Sequence, residues 1–168
     1  VPYGFEWIEE CLPPDDYWGY AELRRRAPAG LGIATGEHEA GRDGFRLLVD
    51  MGCCDTLQPD LRWCGGLSEA LEIAAYADAH GVAVLPHVSS VYAYHFLFTR
   101  ERTPYAEFLM SSPDAAAVAP YFGALVLGEP VPVNGRMKLS ALDRPGFGIQ
   151  LDPAAALVRP FARGVTRS

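Results

Sequence analysis

Carboxylates and imidazoles stand at long, recurring intervals along the first two thirds of the chain: Glu9 with Glu10, Glu37 with His38, Asp60, His87, and Glu107. Carboxylate oxygens are the ligands of a hard cation such as Mg2+, which keeps an octahedral shell, takes few protein groups and leaves positions for water or substrate. Glu9 and Glu37 can share one such ion. Asp60 and His87 suit proton transfer, because a carboxylate bonded to one imidazole nitrogen fixes the tautomer and raises the basicity of the other. Together they read as a general base aimed at a metal-bound substrate. Zinc competes as the metal through His38 and His87, but neither an HExxH spacing nor a thiolate set supports it. Taken singly, each acid is an ordinary solvated loop residue and each histidine an ordinary packing residue. Their recurrence carries the argument.

Positioning such groups in one place requires a repeated element, and the sequence contains one. Short apolar runs rich in β-branched or aromatic residues predict strands at Phe5 to Glu9, Leu31 to Glu37, Thr56 to Asp60 and Val82 to His87, with a fifth at Ala106 to Met110. Helical periodicity follows each of the first three. One helix, capped by Asp15 or Asp16, runs through Tyr17, Tyr20 and Leu23; a second runs from about Asp43 to Met51 and stops at Gly52. A third begins near Gly66, sets Leu67, Ala70, Leu71 and Ala74 on one face, and ends at Gly81. Strands alternating with helices imply parallel β/α units, in which polar residues at the carboxyl ends of the strands share one rim. Beyond them a Pro- and Gly-rich stretch leads to VPVNGRMKL, whose Asn134–Gly135 pair is a type I′ hairpin signal, and Gly146 to Leu151 predicts another short strand.

The bulk properties narrow the function. The 168 residues carry 14 basic and 21 acidic side chains for a net charge of −7, which disfavours a nucleic-acid backbone or an anionic membrane surface as partner. A single compact unit is expected, too short for a closed eight-stranded barrel of roughly 250 residues. The chain contains neither an apolar run of about 20 residues nor a leader pattern at its start, so a cytoplasmic location is expected. The spacing of Cys11, Cys53, Cys54 and Cys64 predicts buried free thiols. Arg24 to Arg26 reads as a solvated helix face, Trp7, Trp18 and Trp63 as packing residues, and Gly65–Gly66 as a tight turn into a helix rather than an anion nest. Tyr92, Tyr94 and His95 read as core more readily than as pocket lining.

The strings WIEECLPPDDYWGY (Trp7 to Tyr20), TGEHE (Thr35 to Glu39), QPD (Gln58 to Asp60), WCGGL (Trp63 to Leu67) and PHVSSVYAYH (Pro86 to His95), with AEFLM and EPVPVNGRMKL, resemble the C-terminal barrel domain of the enolase superfamily. Within its mandelate racemase subgroup they resemble the rhamnonate dehydratase family, from about Phe5 to Pro160. The resemblance implies an α/β fold: a partial TIM-type barrel of about five parallel strands with helices over 1–110, and a C-terminal tail with a short hairpin over 111–168. It implies Glu9 and Glu37 as two of three carboxylates on Mg2+, Asp60 and His87 as the Asp–His dyad, Glu107 as the group that hydrogen-bonds the enolate, and His38 as a substrate contact. The implied reaction takes the C2 proton of an acid sugar, L-rhamnonate or a relative such as L-mannonate, L-lyxonate or D-galactonate. Loss of the C3 hydroxyl then leaves a 2-keto-3-deoxy acid.

Against that pattern the chain is expected to lack the first barrel strands, the third metal carboxylate and the N-terminal capping domain. Val88 stands where the family has Gly, and crowding of the rim is expected. Open sheet edges and an uncovered apolar face predict a homo-oligomer, or association with the missing part of the barrel. A chain that acts only through such association is the alternative to an enzyme.

Overall fold

The computed structural model describes residues 3–88, 90–103, 105–110 and 112–156. Strands β1 (Trp7–Glu9), β2 (Gly32–Thr35), β3 (Thr56–Leu57) and β4 (Ala83–Val84) form one parallel sheet in sequence order. Glu9 pairs with Ala34, Thr35 with Leu57, and Leu57 with Val84. These ladders are shorter than the apolar runs predicted, yet single bonds carry the pairing onward: Gln58 N–H to Thr35 O at 2.9 Å, Leu85 N–H to Leu57 O at 2.9 Å, and His87 N–H to Pro59 O at 3.2 Å. The polar strand ends are therefore still in register where the regular ladder stops.

Helices α1 (Tyr17–Arg26), α2 (Gly41–Asp50) and α3 (Leu67–Ala79) follow the first three strands, and α4 (Val91–Leu97) follows β4. Asp16 caps α1 by accepting the Gly19 N–H at 2.8 Å, as one of the two alternatives predicted. α2 begins two residues before the predicted Asp43 because Glu69, on α3, accepts the Arg42 N–H at 2.7 Å and its Nε at 2.9 Å. That carboxylate caps one helix and ties it to the next. Entry into α3 needs consecutive positive φ angles, +119° at Gly65 and +92° at Gly66, which confirms the tight-turn reading.

The buried face of α3 is Ala70, Ile73, Ala74 and Ala77, whereas Leu67 and Leu71 are exposed. This corrects the predicted stripe: the small alanines let α3 lie close to the sheet and α2, and the leucines turn outward. α4 has no counterpart among the sequence expectations. Its seven residues VYAYHFL have strand-like content, but five are buried, so burial on most sides sustains a helix that propensity does not favour.

The core contains Tyr20, Ile33, Phe45, Leu48, Leu57, Ile73, Val84, Val91 and Phe96. Ile33, Ala34 and Thr35 are buried in succession, as expected of a parallel strand covered on both faces. Cys53, Cys54 and Cys64 are buried free thiols as predicted, and burial pushes Cys54 up to about 12; Cys11 is free but exposed. Trp18 and Trp63 are 82% and 64% exposed, so they are not packing residues. Arg25 and Arg26 sit on an exposed face beside Glu22, but Arg24 leaves that run to pair with Asp55 at 2.8 Å. Tyr94 is buried, and Tyr92 and His95 pack edge-on against Phe147, in keeping with a core role.

Ala106 to Met110 form no strand, which corrects the fifth-strand expectation. Glu, Leu, Met and Ala have weak β preference, and the two residues of β4 offer a short edge to pair with. Side chains hold the segment instead: the Tyr105 ring lies 5.8 Å from that of Trp7, and its hydroxyl donates to Glu6 at 3.2 Å. The tail carries the expected hairpin. Asn134 and Gly135 take φ of 51° and 69° beneath a Val133–Arg136 bridge, as a type I′ turn requires. β5 (Val126–Leu127) and β6 (Gln150–Leu151) pair antiparallel, so the strand predicted over Gly146 to Leu151 is confined to its last two residues. Four parallel β/α units with an antiparallel pair make a partial α/β barrel. Among the described residues, no helix is long and apolar enough to cross a membrane.

Candidate active site

The carboxyl ends of β2 and β4 and the segment 105–110 bring three of the expected side chains into contact. His87 Nδ1 lies 3.3 Å from Glu37 Oε2 and 3.2 Å from Glu107 Oε2. Glu37 reaches the same place because Gly36, at φ +117°, turns the chain out of β2 where a Cβ would approach Phe45 to 3.0 Å. His38, exposed on the rim, sets its Nε2 3.2 Å from Glu37 Oε1. Glu107 is fixed from the other side, its Oε2 accepting the Val88 N–H at 2.7 Å. Val88 itself is buried, and its backbone orients a site carboxylate.

Asp60 ends the run after β3 and is held by Arg62. Its Oδ1 accepts the Arg62 N–H at 2.8 Å and its Oδ2 the Nη2 at 3.0 Å, which raises the guanidinium above its already high value. The His87 N–H bond to Pro59 O brings the backbone beside Asp60 next to that of His87. Arg62 also donates to the Tyr121 hydroxyl at 3.2 Å, linking the strand end to the tail.

Glu9 is exposed at the end of β1 and bound by other partners. Gln58 Nε2 donates to its Oε2 at 2.6 Å, and Trp7 Nε1 to the same oxygen at 3.4 Å. A cavity of about 560 Å3 lies between β1 and the 105–107 segment, lined by Glu9, Gln58 and Glu107 with Phe5, Trp7 and Tyr105. It has an apolar wall and a few polar groups, the composition of a small-molecule site.

Gln58 and Glu129 belong to this neighbourhood but were not singled out from sequence. Gln58 sits two residues before Asp60 in the same run, and a strand's period of two puts both on one face, so alternation was the available signal. Glu10 adjoins Glu9, but its Oε1 accepts from Thr35 Oγ1 at 2.7 Å and Gly36 N–H at 3.2 Å, tying β1 to β2. Glu129 accepts from Ser90 Oγ at 2.6 Å and from Phe122 N–H at 2.8 Å, pinning the tail beside α4. No local pattern marks a residue so far along the chain. Tyr94, buried in that region, is pushed up to about 12 by burial first and then by Glu129 and Glu107.

The donors Glu9 and Glu37 are hard oxygens, which fit Mg2+ in kind. Among the described residues, no group of three or more His, Cys, Asp or Glu side chains is arranged to hold a metal ion. Two carboxylates alone can fill only part of an octahedral shell.

Parallel β/α units that bring acids and a histidine together near their carboxyl ends define a partial barrel of the enolase kind. Residues 1–155 match the family model described as enolase C-terminal domain-like, and the chain belongs to that family. It is similar to the solved structure of L-rhamnonate dehydratase from Gibberella zeae, with 46% identity and a TM-score of 0.85 over 90% of this chain and 38% of that one. The Gibberella zeae rhamnonate dehydratase complexed with Mg matches at 46% identity and a TM-score of 0.86, over 91% of this chain and 37% of that one. L-talarate dehydratase from Polaromonas sp. JS666, complexed with Mg and L-glucarate, matches at 28% identity and a TM-score of 0.76, over 90% of this chain and 38% of that one. The chain thus spans well under half the length of each.

Proposed function

We propose that the chain carries the acid–base half of an acid-sugar dehydratase acting on L-rhamnonate or a close relative. The observation that supports this most is the meeting of Glu37, His87 and Glu107, from three separate stretches of chain, within 3.3 Å. With Nδ1 protonated against those carboxylates, the imidazole's basic lone pair is at Nε2, where it takes the C2 proton. His87 then returns a proton to the departing C3 hydroxyl, leaving a 2-keto-3-deoxy acid. Asp60 supports the imidazolium from the neighbouring strand end, Glu107 as the carboxylic acid donates a hydrogen bond from Oε1 to the developing enolate, and His38 contacts a substrate hydroxyl from the rim. Glu9 and Glu37 would hold Mg2+, which when bound supplies positive charge against the substrate carboxylate.

The test is dehydration of L-rhamnonate, L-mannonate, L-lyxonate and D-galactonate with Mg2+, followed as keto-acid formation in the chain and in His87→Asn. Loss of about 10²- to 10⁴-fold in the variant is expected; equal rates would remove His87 from the mechanism. A second reading, action through association with a second copy or with further barrel strands, is favoured by the half-exposed Phe5 and Tyr105 beside the cavity. Light scattering that finds only a monomer, with full activity, would dismiss it.

A further inference from the structure

The turn that follows β3 is closed by its own backbone. Trp63 N–H donates to Asp60 O at 2.9 Å, Cys64 N–H donates to the same oxygen at 2.7 Å, and Gly41 N–H reaches across to Cys64 O at 3.0 Å. The Trp63 indole adds a bond from Nε1 to His38 O at 3.3 Å. These bonds fix the turn without the side chain of Arg62.

That side chain is nevertheless fully engaged. Its Nε donates to Asp60 Oδ1 at 3.3 Å and its Nη2 to Oδ2 at 3.0 Å, a fork across both oxygens of a carboxylate that is only 13% exposed. The remaining nitrogen, Nη1, donates to the Tyr121 hydroxyl at 3.2 Å, and the guanidinium carbon lies 5.3 Å from the centre of the Tyr121 ring. Holding every nitrogen of a long side chain costs rotamer freedom, which a solvated ion pair seldom offsets. What the arrangement gains is geometry. An arginine stays charged, and its planar fork fixes the plane of the carboxylate it binds, which the point charge of a lysine does not.

Resting on the dehydratase reading, we propose that Arg62 is a positioning residue that fixes the Asp60 carboxylate for its support of the His87 imidazolium, and that Tyr121, 59 residues downstream, holds Arg62 in place. The tail thereby bears on proton transfer through Arg62. Because Arg62 acts through Asp60, its effect falls on the chemical step, where a misplacement of about 1 Å costs about 10²-fold, and not on substrate binding.

The test measures kcat and KM for dehydration of L-rhamnonate, L-mannonate, L-lyxonate and D-galactonate with Mg2+, and thermal unfolding by calorimetry, in the chain, Arg62→Met, Arg62→Lys and Tyr121→Phe. The expected result for Arg62→Met is a kcat lowered about 10- to 100-fold with KM changed less than about 3-fold. Arg62→Lys keeps the charge and loses the fork, so it stays impaired; recovery to the unmodified kcat means that charge alone suffices and overturns the proposal. Tyr121→Phe keeps the ring and removes the hydroxyl acceptor, and it lowers kcat by a smaller factor; an unchanged kcat overturns the role of the tail. A lowered melting temperature in Arg62→Met with unchanged kcat makes Arg62 a structural tie and overturns the proposal. If Arg62→Met does not fold, Arg62→Lys and Tyr121→Phe decide by the same outcomes. No turnover by the unmodified chain overturns the dehydratase reading and this proposal together, whereas turnover that is equal in chain and Arg62→Met overturns this proposal alone.

Discussion

Glu107 accepts the backbone N–H of Val88 at 2.7 Å, so a residue on a segment without regular structure is held by the turn that immediately follows His87. Together with the contacts of Tyr105 to Trp7 and Glu6, this bond substitutes for the strand ladder that the segment lacks. It also explains why Glu107 and His87 are found 3.2 Å apart although 105–110 does not join the sheet.

Glu107→Ala is therefore expected to destabilise the fold by about 1–3 kcal/mol, the penalty for leaving a buried N–H unpaired. Glu107→Gln keeps an acceptor for Val88 and recovers most of that loss. Urea unfolding of both variants checks it, and identical midpoints for Ala and Gln would show that the bond to Val88 contributes nothing.

The Glu69–Arg42 tie predicts a pH dependence. Hydrogen bonds from Arg42 hold the Glu69 carboxyl below the usual carboxylate range in the folded chain, while the unfolded chain keeps the ordinary value. Its contribution is thus fully present above the ordinary value and is lost as pH falls through the lower, folded one. The melting-temperature gap between the chain and Glu69→Gln should be widest near neutrality and close in acid; a gap that persists at pH 2 argues against this account.

Tyr20 is fully buried, its hydroxyl donating to Leu12 O at 2.8 Å and accepting from Leu12 N–H at 3.3 Å. Tyr20→Phe preserves the packing and removes both bonds. A loss of about 1–2 kcal/mol is expected by chemical denaturation; a neutral effect would mean that water satisfies Leu12 equally well.

Gly36 turns the chain at φ +117° directly before Glu37. Gly36→Ala forces a side chain into that conformation and towards Phe45, at a cost of about 1–3 kcal/mol. Because Glu37 follows it, the same substitution should shift the His87 imidazole resonances in an NMR spectrum; unchanged resonances would uncouple the turn from the site.

Much of this was legible in the chain itself. Alternating apolar runs and amphipathic helices placed the four parallel strands and the helices between them, and the Asn134–Gly135 pair placed its turn, because each depends on neighbours a few residues away. The strand-end acids and His87 were legible for the same reason, since a polar residue closing a buried run has few places to point. Residues whose surroundings come from distant segments were read less well: the outward turn of Leu67 and Leu71, the exposure of Trp18 and Trp63, and the helix over VYAYHFL.

Local sequence thus determined the parallel β/α framework and which chemical groups stand at its carboxyl rim. Tertiary structure alone decided their partners: His87 with Glu37 and Glu107, Asp60 with Arg62, and Glu9 with Gln58. The reason is physical. Secondary structure follows from short-range sterics and the period of burial, whereas a hydrogen bond between side chains far apart in sequence exists only once packing has fixed both backbones to within fractions of an ångström.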